Sequence, residues 1–283
     1  MAPMKQYPYD PSKVAPIIFA VLYSISAIVT TVQYFWWRCW YWLPMVVASL
    51  MEAGGYISRS YSSYHEYNAG SFDVQYLLLF LAPTVMAVAC YMTLSRIITR
   101  ACRLKCINMR TLWVTPRYMT PIFVTCDILA LVIQLIGGVC AISKTSSTIR
   151  IGYNIAKAGL LVQIVSFGIF IVISLRFHFI SRNPTIVPLA HRWTTLLLCI
   201  NVSCMFIFAR SVYRLVEFCQ GADGYLNLHE WNSYVFDATI ILPAAVIFNI
   251  VHPAKYMTNT YGKQSTPAQS AASEDGLVLE RRF

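Results

Sequence analysis

Apolar runs recur along this chain, separated by short polar connections, and each is close to the length that crosses a bilayer. A hydrocarbon core about 30 Å thick takes about 20 predominantly apolar residues of helix. Seven stretches qualify, near residues 14-35, 40-58, 74-98, 119-142, 153-177, 193-217 and 234-252. Lipid offers backbone N–H and C=O groups no partners, so each stretch must close its own hydrogen bonds, and stretches of this length do so as helices rather than barrel strands. The pattern predicts an all-α membrane protein, a seven-transmembrane-helix bundle forming one domain over 1-256. Residues 257-283, rich in Ser, Ala, Gln and charge, have no apolar period and predict a disordered tail. The first stretch lacks a basic region directly before it and runs on through Gln33-Tyr34-Phe35-Trp36-Trp37 without a small-residue cleavage site, so it reads as a retained helix.

Composition agrees: 57% of residues are hydrophobic and 12% charged, more apolar and less charged than a soluble domain. Charge then orients the bundle, because cytoplasmic loops carry the excess of Lys and Arg. Arg96, Arg100, Arg103, Lys105, Arg110 and Arg117 cluster around the 3-4 connection, while Glu66, Asp73, Glu217, Asp223 and Glu230 collect on the opposite face. The N-terminus is expected outside and the C-terminus in the cytosol. A net charge of +10 is therefore membrane topology and not nucleic-acid binding. The basic connection is also suited to anionic lipids, and Cys102 and Cys106 beside it to S-palmitoylation. Nine cysteines, an odd number spread mainly through the apolar runs, imply no disulfide framework. Only Cys140 and Cys219 come near the outer side, which leaves one bridge between them open.

The informative residues are the ionisable ones inside the spans, since each costs about 2.5–3.5 kcal/mol to insert and must face protein or water. Arg210, Tyr213, Arg214 and Glu217 follow i, i+3, i+4, i+7 spacing, one polar stripe about 10 Å long on the sixth helix. Glu52 on helix 2 and Asp237 at the start of helix 7 lie at matching depth. Arg pairs bidentately with carboxylates and with phosphates alike. Two readings stay open: an ion-pair network locking three helices, or a hydrated pocket, open outward, that receives a lipid headgroup. A second polar line joins Asp127, Gln134 and Gln163, with Gly137-Gly138 allowing close helix approach and Lys157 as a further candidate partner. It serves either structural hydrogen bonding or proton carriage by Asp127. Pro44, Pro83 and Pro243 fall within spans and are expected to kink them. The aromatic residues from Tyr34 to Trp42 read as an interface belt.

Together these residues give the chain a resemblance to the fungal lipid-translocating exporter family, whose founding member was named for aminocholesterol resistance. The resemblance covers about residues 7-256. It is carried by Tyr9-Asp10-Pro11-Ser12, by Glu52 with Gly55-Tyr56 and Arg59, and by Ala82-Pro83 with Ala87 and Tyr91. Asp127 with Gln134 and Gly137-Gly138, then Gly152, Gly159-Leu160 and Gln163, extend it. Its most specific part is Arg210-x-x-Tyr213-Arg214-x-x-Glu217 followed by Glu230, Tyr234, Asp237 and His252-Pro253. The resemblance implies seven membrane helices and the export or flipping of sphingoid bases and other amphiphiles, toxicant resistance or, in one branch, porphyrin movement, with the plasma membrane expected first and vacuole or endomembrane next.

The functional expectation is a translocator of lipids or lipid-like amphiphiles. Its substrate head would meet Glu52, Arg210, Tyr213, Arg214, Glu217 and Asp237, with no cofactor. No G-x-x-x-x-G-K-[ST] phosphate loop is present, so ATP is not expected to drive it directly. A seven-helix receptor for a lipidic ligand, using the basic 3-4 connection to contact a cytosolic protein, is the alternative. An intramembrane metal hydrolase would need several His and carboxylate ligands together, and His178, His191 and His252 lack helical ligand spacing. No G-x-S-x-G nucleophile motif occurs either.

Overall fold

The structure, a computed structural model, describes residues 12–65, 67–103, 115–141, 146–181, 190–221 and 224–254. The tail, Tyr9-Asp10-Pro11, the acids Glu66 and Asp223, and Lys105, Cys106 and Arg110 of the basic connection lie outside these residues.

Helices account for almost all of the described chain. Val14–Trp37 forms α1, Leu43–Tyr64 α2, Ala69–Arg103 α3, Pro116–Ala141 α4, Ser146–Ser181 α5 and Ala190–Gln220 α6. After the short turns α7 (Tyr225–Leu228) and α8 (Glu230–Ser233), a π-helical turn over Tyr234–Ala238 runs into α9 (Thr239–Ile250). α1 packs on α2 and α9, α2 on α3, α3 on α4, α4 on α5, α5 on α6 and α6 on α9, which closes a ring. A further contact between α3 and α6 crosses its centre.

Six helical stretches are long and apolar enough to cross a membrane: Val14–Trp37, Gly70–Arg100, Arg117–Cys140, Thr148–Ser181, Thr194–Gln220 and Glu230–Ile250. The sequence predicts seven. The stretch expected at 40-58 begins instead with a 3₁₀ turn at Trp40–Trp42, and the helix proper runs on to Tyr64 through Ser58, Arg59, Ser60, Ser62 and Ser63. That serine-rich second half lowers its apolarity, while its inner face packs along α3.

Polarity is inverted relative to a water-soluble bundle. Ile17, Ile18, Val21, Ile25 and Ile28 of α1, and Ile128, Leu129, Val132, Leu135 and Ile136 of α4, are exposed. Ser26, Thr30, Ser49, Glu52, Asp127, Gln134, Arg210 and Asp237 are buried. Exposed aliphatic surface on this scale would drive aggregation in water and is at home in lipid. The chain is a multi-pass membrane protein.

Interior polar groups tie the helices together. Asn249 accepts from the Thr30 hydroxyl at 2.6 Å and donates to Ser26 Oγ at 2.8 Å, and Gln33 Nε2 donates to the Asn249 carbonyl at 2.7 Å, so α1 and α9 share one amide node. Between α5 and α6, Ser174 Oγ lies 2.6 Å from Asn201 Oδ1.

Several local expectations need correction. Pro44 is the second residue of α2, within the first helical turn, where the lost N–H has no helical partner anyway, so it caps rather than kinks. Pro83 and Pro243 do lie inside helices, as does Pro121 of α4. Trp36 and Trp40 are exposed as a belt requires, but Trp42 is 1% exposed and meets Phe248 and His252 edge-on at 5.2 and 5.8 Å. It belongs to the core. Cys140 and Cys219 are both free. Of the glycine pair, only Gly137 sits at the close approach: a Cβ there would come within 2.5 Å of the Ala156 nitrogen, whereas one on Gly138 would meet nothing within 4 Å.

Candidate functional site

The stripe on α6 faces inward, as its spacing requires. Arg210 is 4% exposed and Asp237 is 3% exposed. Nε of Arg210 donates to Asp237 Oδ1, and Nη2 donates to the Leu79 carbonyl at 2.5 Å. One turn on, Arg214 Nη2 donates to Asp237 Oδ2 and Nη1 to Glu217 Oε2 at 3.1 Å. Asp237 therefore holds one guanidinium on each oxygen, and Glu217 takes the second face of Arg214.

Two local features of the chain make this geometry. Asp237 lies in the π turn, in which Thr239 N–H and Thr239 Oγ1 both bond the Tyr234 carbonyl. Tyr23 Oη, from α1, donates to the Ala238 carbonyl at 2.7 Å. A π turn inserts a residue into the helical register and is often found at functional sites; here it carries Asp237 to α6. Gly55 is the other feature, since a side chain there would strike Leu79 at 2.6 Å. The missing Cβ lets α2 pass close by the residue whose carbonyl Arg210 uses.

The remaining predicted residues are placed less directly. Glu52 is 2% exposed, within electrostatic reach of Arg210 and Asp237, and its Oε1 has no hydrogen-bond partner. It stands beside the cluster without bonding either guanidinium. Tyr213 is buried with its hydroxyl unpartnered and its ring stacked on Phe236 at 5.5 Å. In the second line, Gln134 Nε2 donates to Gln163 Oε1 at 2.9 Å and Gln163 Nε2 to Thr84 Oγ1 at 3.0 Å. Asp127 sits apart from that chain, accepting from Tyr91 Oη at 2.8 Å. No hydrogen bond or ion pair joins Lys157 to this line among the described residues.

Sequence reasoning passed over a second ionic layer. Arg59 Nη1 donates to Ser233 Oγ at 3.0 Å, Nη2 lies 3.7 Å from Glu230 Oε1, and the guanidinium carbon sits 4.5 Å from the centroid of the Tyr234 ring. Glu230 also accepts from Tyr234 Oη at 2.9 Å and from the Ser12 amide at 2.7 Å. Arg59 is seven residues from Glu52, and Glu230 seven from Asp237, so the two layers are stacked about 10 Å apart along the helices. The matched spacing of seven on two helices was the available signal. Between the layers runs an aromatic column, with Tyr23 stacked on Tyr56 at 4.9 Å and Phe19 stacked on Tyr234 at 5.5 Å.

A cavity of about 30 Å³ joins the two polar lines, lined by Thr84 and Tyr91 from α3, Asp127 from α4, Gln163 from α5, and Arg210 and Arg214 from α6. It has room for about one or two waters, not for a headgroup.

The sequence pattern of the family described as "RTA1 like protein" matches residues 45–260, a stretch that includes α2 to α9 almost entirely and every charged residue of the cluster. Among relatives, Protein RTM1 of Saccharomyces cerevisiae is 34% identical over 208 residues, covering 73% of this chain and 65% of RTM1. Protoporphyrin uptake protein 1 of the same yeast is 28% identical, covering 86% of this chain and 90% of its own length. The sphingoid long-chain base transporter RSB1 of that yeast is 27% identical, covering 84% and 70%. The chain spans just under two thirds of RTM1 but most of the other two. The last two names describe uptake and transport. No solved structure matches. On the match to its helices and its buried charges, the chain belongs to the RTA1-like family.

Proposed function

We propose that this protein translocates amphiphiles with a charged head across the bilayer, with sphingoid long-chain bases as the first substrate class to test. The head moves past Glu52, Arg210, Tyr213, Arg214, Glu217 and Asp237 while the tail stays in lipid. The observation that carries this reading is the sharing of one buried aspartate by two guanidiniums. Each bond in that arrangement is exchangeable: an ammonium head can replace a guanidinium on Asp237, and a phosphate head can replace the carboxylate between the two arginines. The relative named as a sphingoid long-chain base transporter supports the substrate class. The cavity is too small for a headgroup, so passage requires a second arrangement of α6 against α9, with the π turn and Pro243 as the places where α9 yields.

The same reading takes α2 as the seventh span, places the N-terminus outside and the protein in the plasma membrane, and assigns no enzymatic step. Length supports the span, since a helix of 22 residues is about 33 Å long.

Vesicles holding the purified protein and a fluorescent long-chain base test the transport step. Arg214→Ala removes two charge-assisted hydrogen bonds at about 1.5–3 kcal/mol each, and flux is expected to fall at least about tenfold. Equal rates for wild type, Arg214→Ala and protein-free vesicles would refute the proposal. Orientation has its own check. Cys219, exposed and free at the end of α6, is expected to react with a membrane-impermeant maleimide on intact cells, and Cys219→Ser to remove that signal. Labelling only after permeabilisation would reverse the topology.

A further inference from the structure

We propose that Asp127 is a proton-binding site that couples amphiphile movement to a proton gradient. The proposal rests on the transport reading and supplies what that reading lacks, a source of energy, since the sequence carries no phosphate-loop motif.

Asp127 lies in the middle of α4 and is 2% exposed. Tyr91 Oη donates to its Oδ2 at 2.8 Å, and Oδ1 has no hydrogen-bond partner. From α3 it faces Tyr91, beside which lie the thiols of Cys90 and Cys204. From α5 the cavity wall is Leu160, Gln163 and Phe167, none of them titratable, and α6 contributes Arg210 and Arg214 across the cavity. Among the described residues, Asp127 makes no ion pair. Asp237 offers the contrast, a buried carboxylate with a guanidinium on each oxygen. A buried charge without such a partner is costly and is relieved by taking or giving a proton.

The cavity supplies both the route and the coupling. Arg214 Nε is a second buried atom without a hydrogen-bond partner, and Arg214 lines the same cavity as Asp127. The space has polar walls and room for about one or two waters. A hydronium ion on one side gives its proton to Asp127 Oδ1, leaving water and a carboxylic acid. When the bundle opens to the other side, the acid returns that proton to water and the carboxylate is restored. Asp127 and Arg214 line one cavity, so the carboxylate places a negative charge in the space that Arg214 borders, whereas the acid does not. Proton binding therefore changes the charge in the cavity that the cluster borders, which is the differential interaction a population shift requires.

Two measurements on the full chain decide it. Infrared difference spectra of the purified protein in nanodiscs, taken through a pH titration, are expected to show a carboxyl C=O band that disappears in Asp127→Asn. In Tyr91→Phe, which keeps the acid but loses its hydrogen bond, the band is expected to shift. In vesicles, a pH step is expected to drive accumulation of a fluorescent long-chain base beyond that in protein-free vesicles, by about tenfold per pH unit for one proton per molecule. Any flux remaining in Asp127→Asn is expected to ignore the step. The absence of an Asp127-dependent band overturns the proton site, whatever the flux. Wild-type flux indifferent to the pH step, or an Asp127→Asn response equal to wild type, overturns the coupling. If the band is present but the wild type carries no amphiphile, the transport reading falls and the coupling with it, while the proton site stands.

Discussion

Asp237→Ala is expected to be among the most damaging single substitutions in this protein, lowering stability by about 3–5 kcal/mol, the scale for removing one partner of a buried ion pair. The magnitude follows from what is left behind. Arg210 keeps only the Leu79 carbonyl and Arg214 only Glu217, so two guanidiniums remain inside the bundle without the carboxylate that offset their charges. Thermal unfolding in detergent, together with recovery of monodisperse protein, reads the effect directly. Asp237→Asn retains the shape but not the charge and is expected to fall between wild type and Ala. Pairing Asp237→Ala with Arg210→Met should recover part of the loss, because removing both partners of a buried pair in favour of apolar packing is often close to neutral. Glu217→Gln, at the edge of the cluster, is expected to cost about 1 kcal/mol or less. A Tm for Asp237→Ala indistinguishable from that of Glu217→Gln would mean that the central aspartate does not hold the helices together.

The hierarchy among these acids marks where the sequence could be read and where it could not. The stripe on α6 was legible because a 3.6-residue period fixes which side chains share a face, and four polar residues on one face of an apolar helix must turn inward. That Asp237 would meet them was legible from depth alone. That it would take both arginines was not, because the π turn which re-aims it depends on Tyr23 and Thr239 closing backbone carbonyls, a tertiary arrangement with no local signature. Glu52 shows the converse. It does lie near Arg210 and Asp237, yet depth does not say which neighbour fills each oxygen, and Leu79 rather than Glu52 receives Arg210.

The fold shows the same division. Hydropathy marked six of the helices as membrane-crossing with ends near those observed, since apolar length is what it measures. The remaining stretch, 40-58, falls on α2 (Leu43–Tyr64), whose apolarity is diluted by its serines and by Glu52 and Arg59, which reach the Arg210 cluster and the second ionic layer respectively. Glu230 was assigned to orientation because it lies near the end of a span, where charge usually reports topology, and Arg59 entered only through the family resemblance. Only packing shows that they pair with each other. Trp42 was grouped with its exposed neighbours because sequence adjacency carries no information about which side of a 3₁₀ turn a ring takes.

Gly137 and Gly138 give the sharpest separation of adjacent residues, and Gly137→Leu is expected to have the second large effect. Even the first added carbon would fall 2.5 Å from the Ala156 nitrogen and 2.7 Å from the Gly152 carbonyl oxygen. Both are backbone atoms, which cannot rotate away as a side chain does, so α4 and α5 must separate. Gly159 makes the reciprocal contact, where a Cβ would meet the Ala130 carbonyl oxygen at 2.9 Å. The two helices are thus in near backbone contact at two levels, the close approach that small residues permit in membranes. Overpacking of this kind costs about 1–3 kcal/mol, and the strain falls on the hydrogen bond from Gln134 to Gln163 at 2.9 Å that spans the same interface. Thr84 depends on that geometry through Gln163 at 3.0 Å, and Gln163 is also a wall of the cavity beside Arg214. Gly137→Leu should therefore lower both the unfolding temperature and amphiphile flux, and Gly159→Leu should do the same from the other helix. Gly138→Ala, pointing into open space, is the matched control and should leave both near wild type or raise stability slightly, since alanine is the better helix former. If Gly137→Leu and Gly138→Ala behaved alike in the two assays, close contact between α4 and α5 could not be what sets the inner wall of the site.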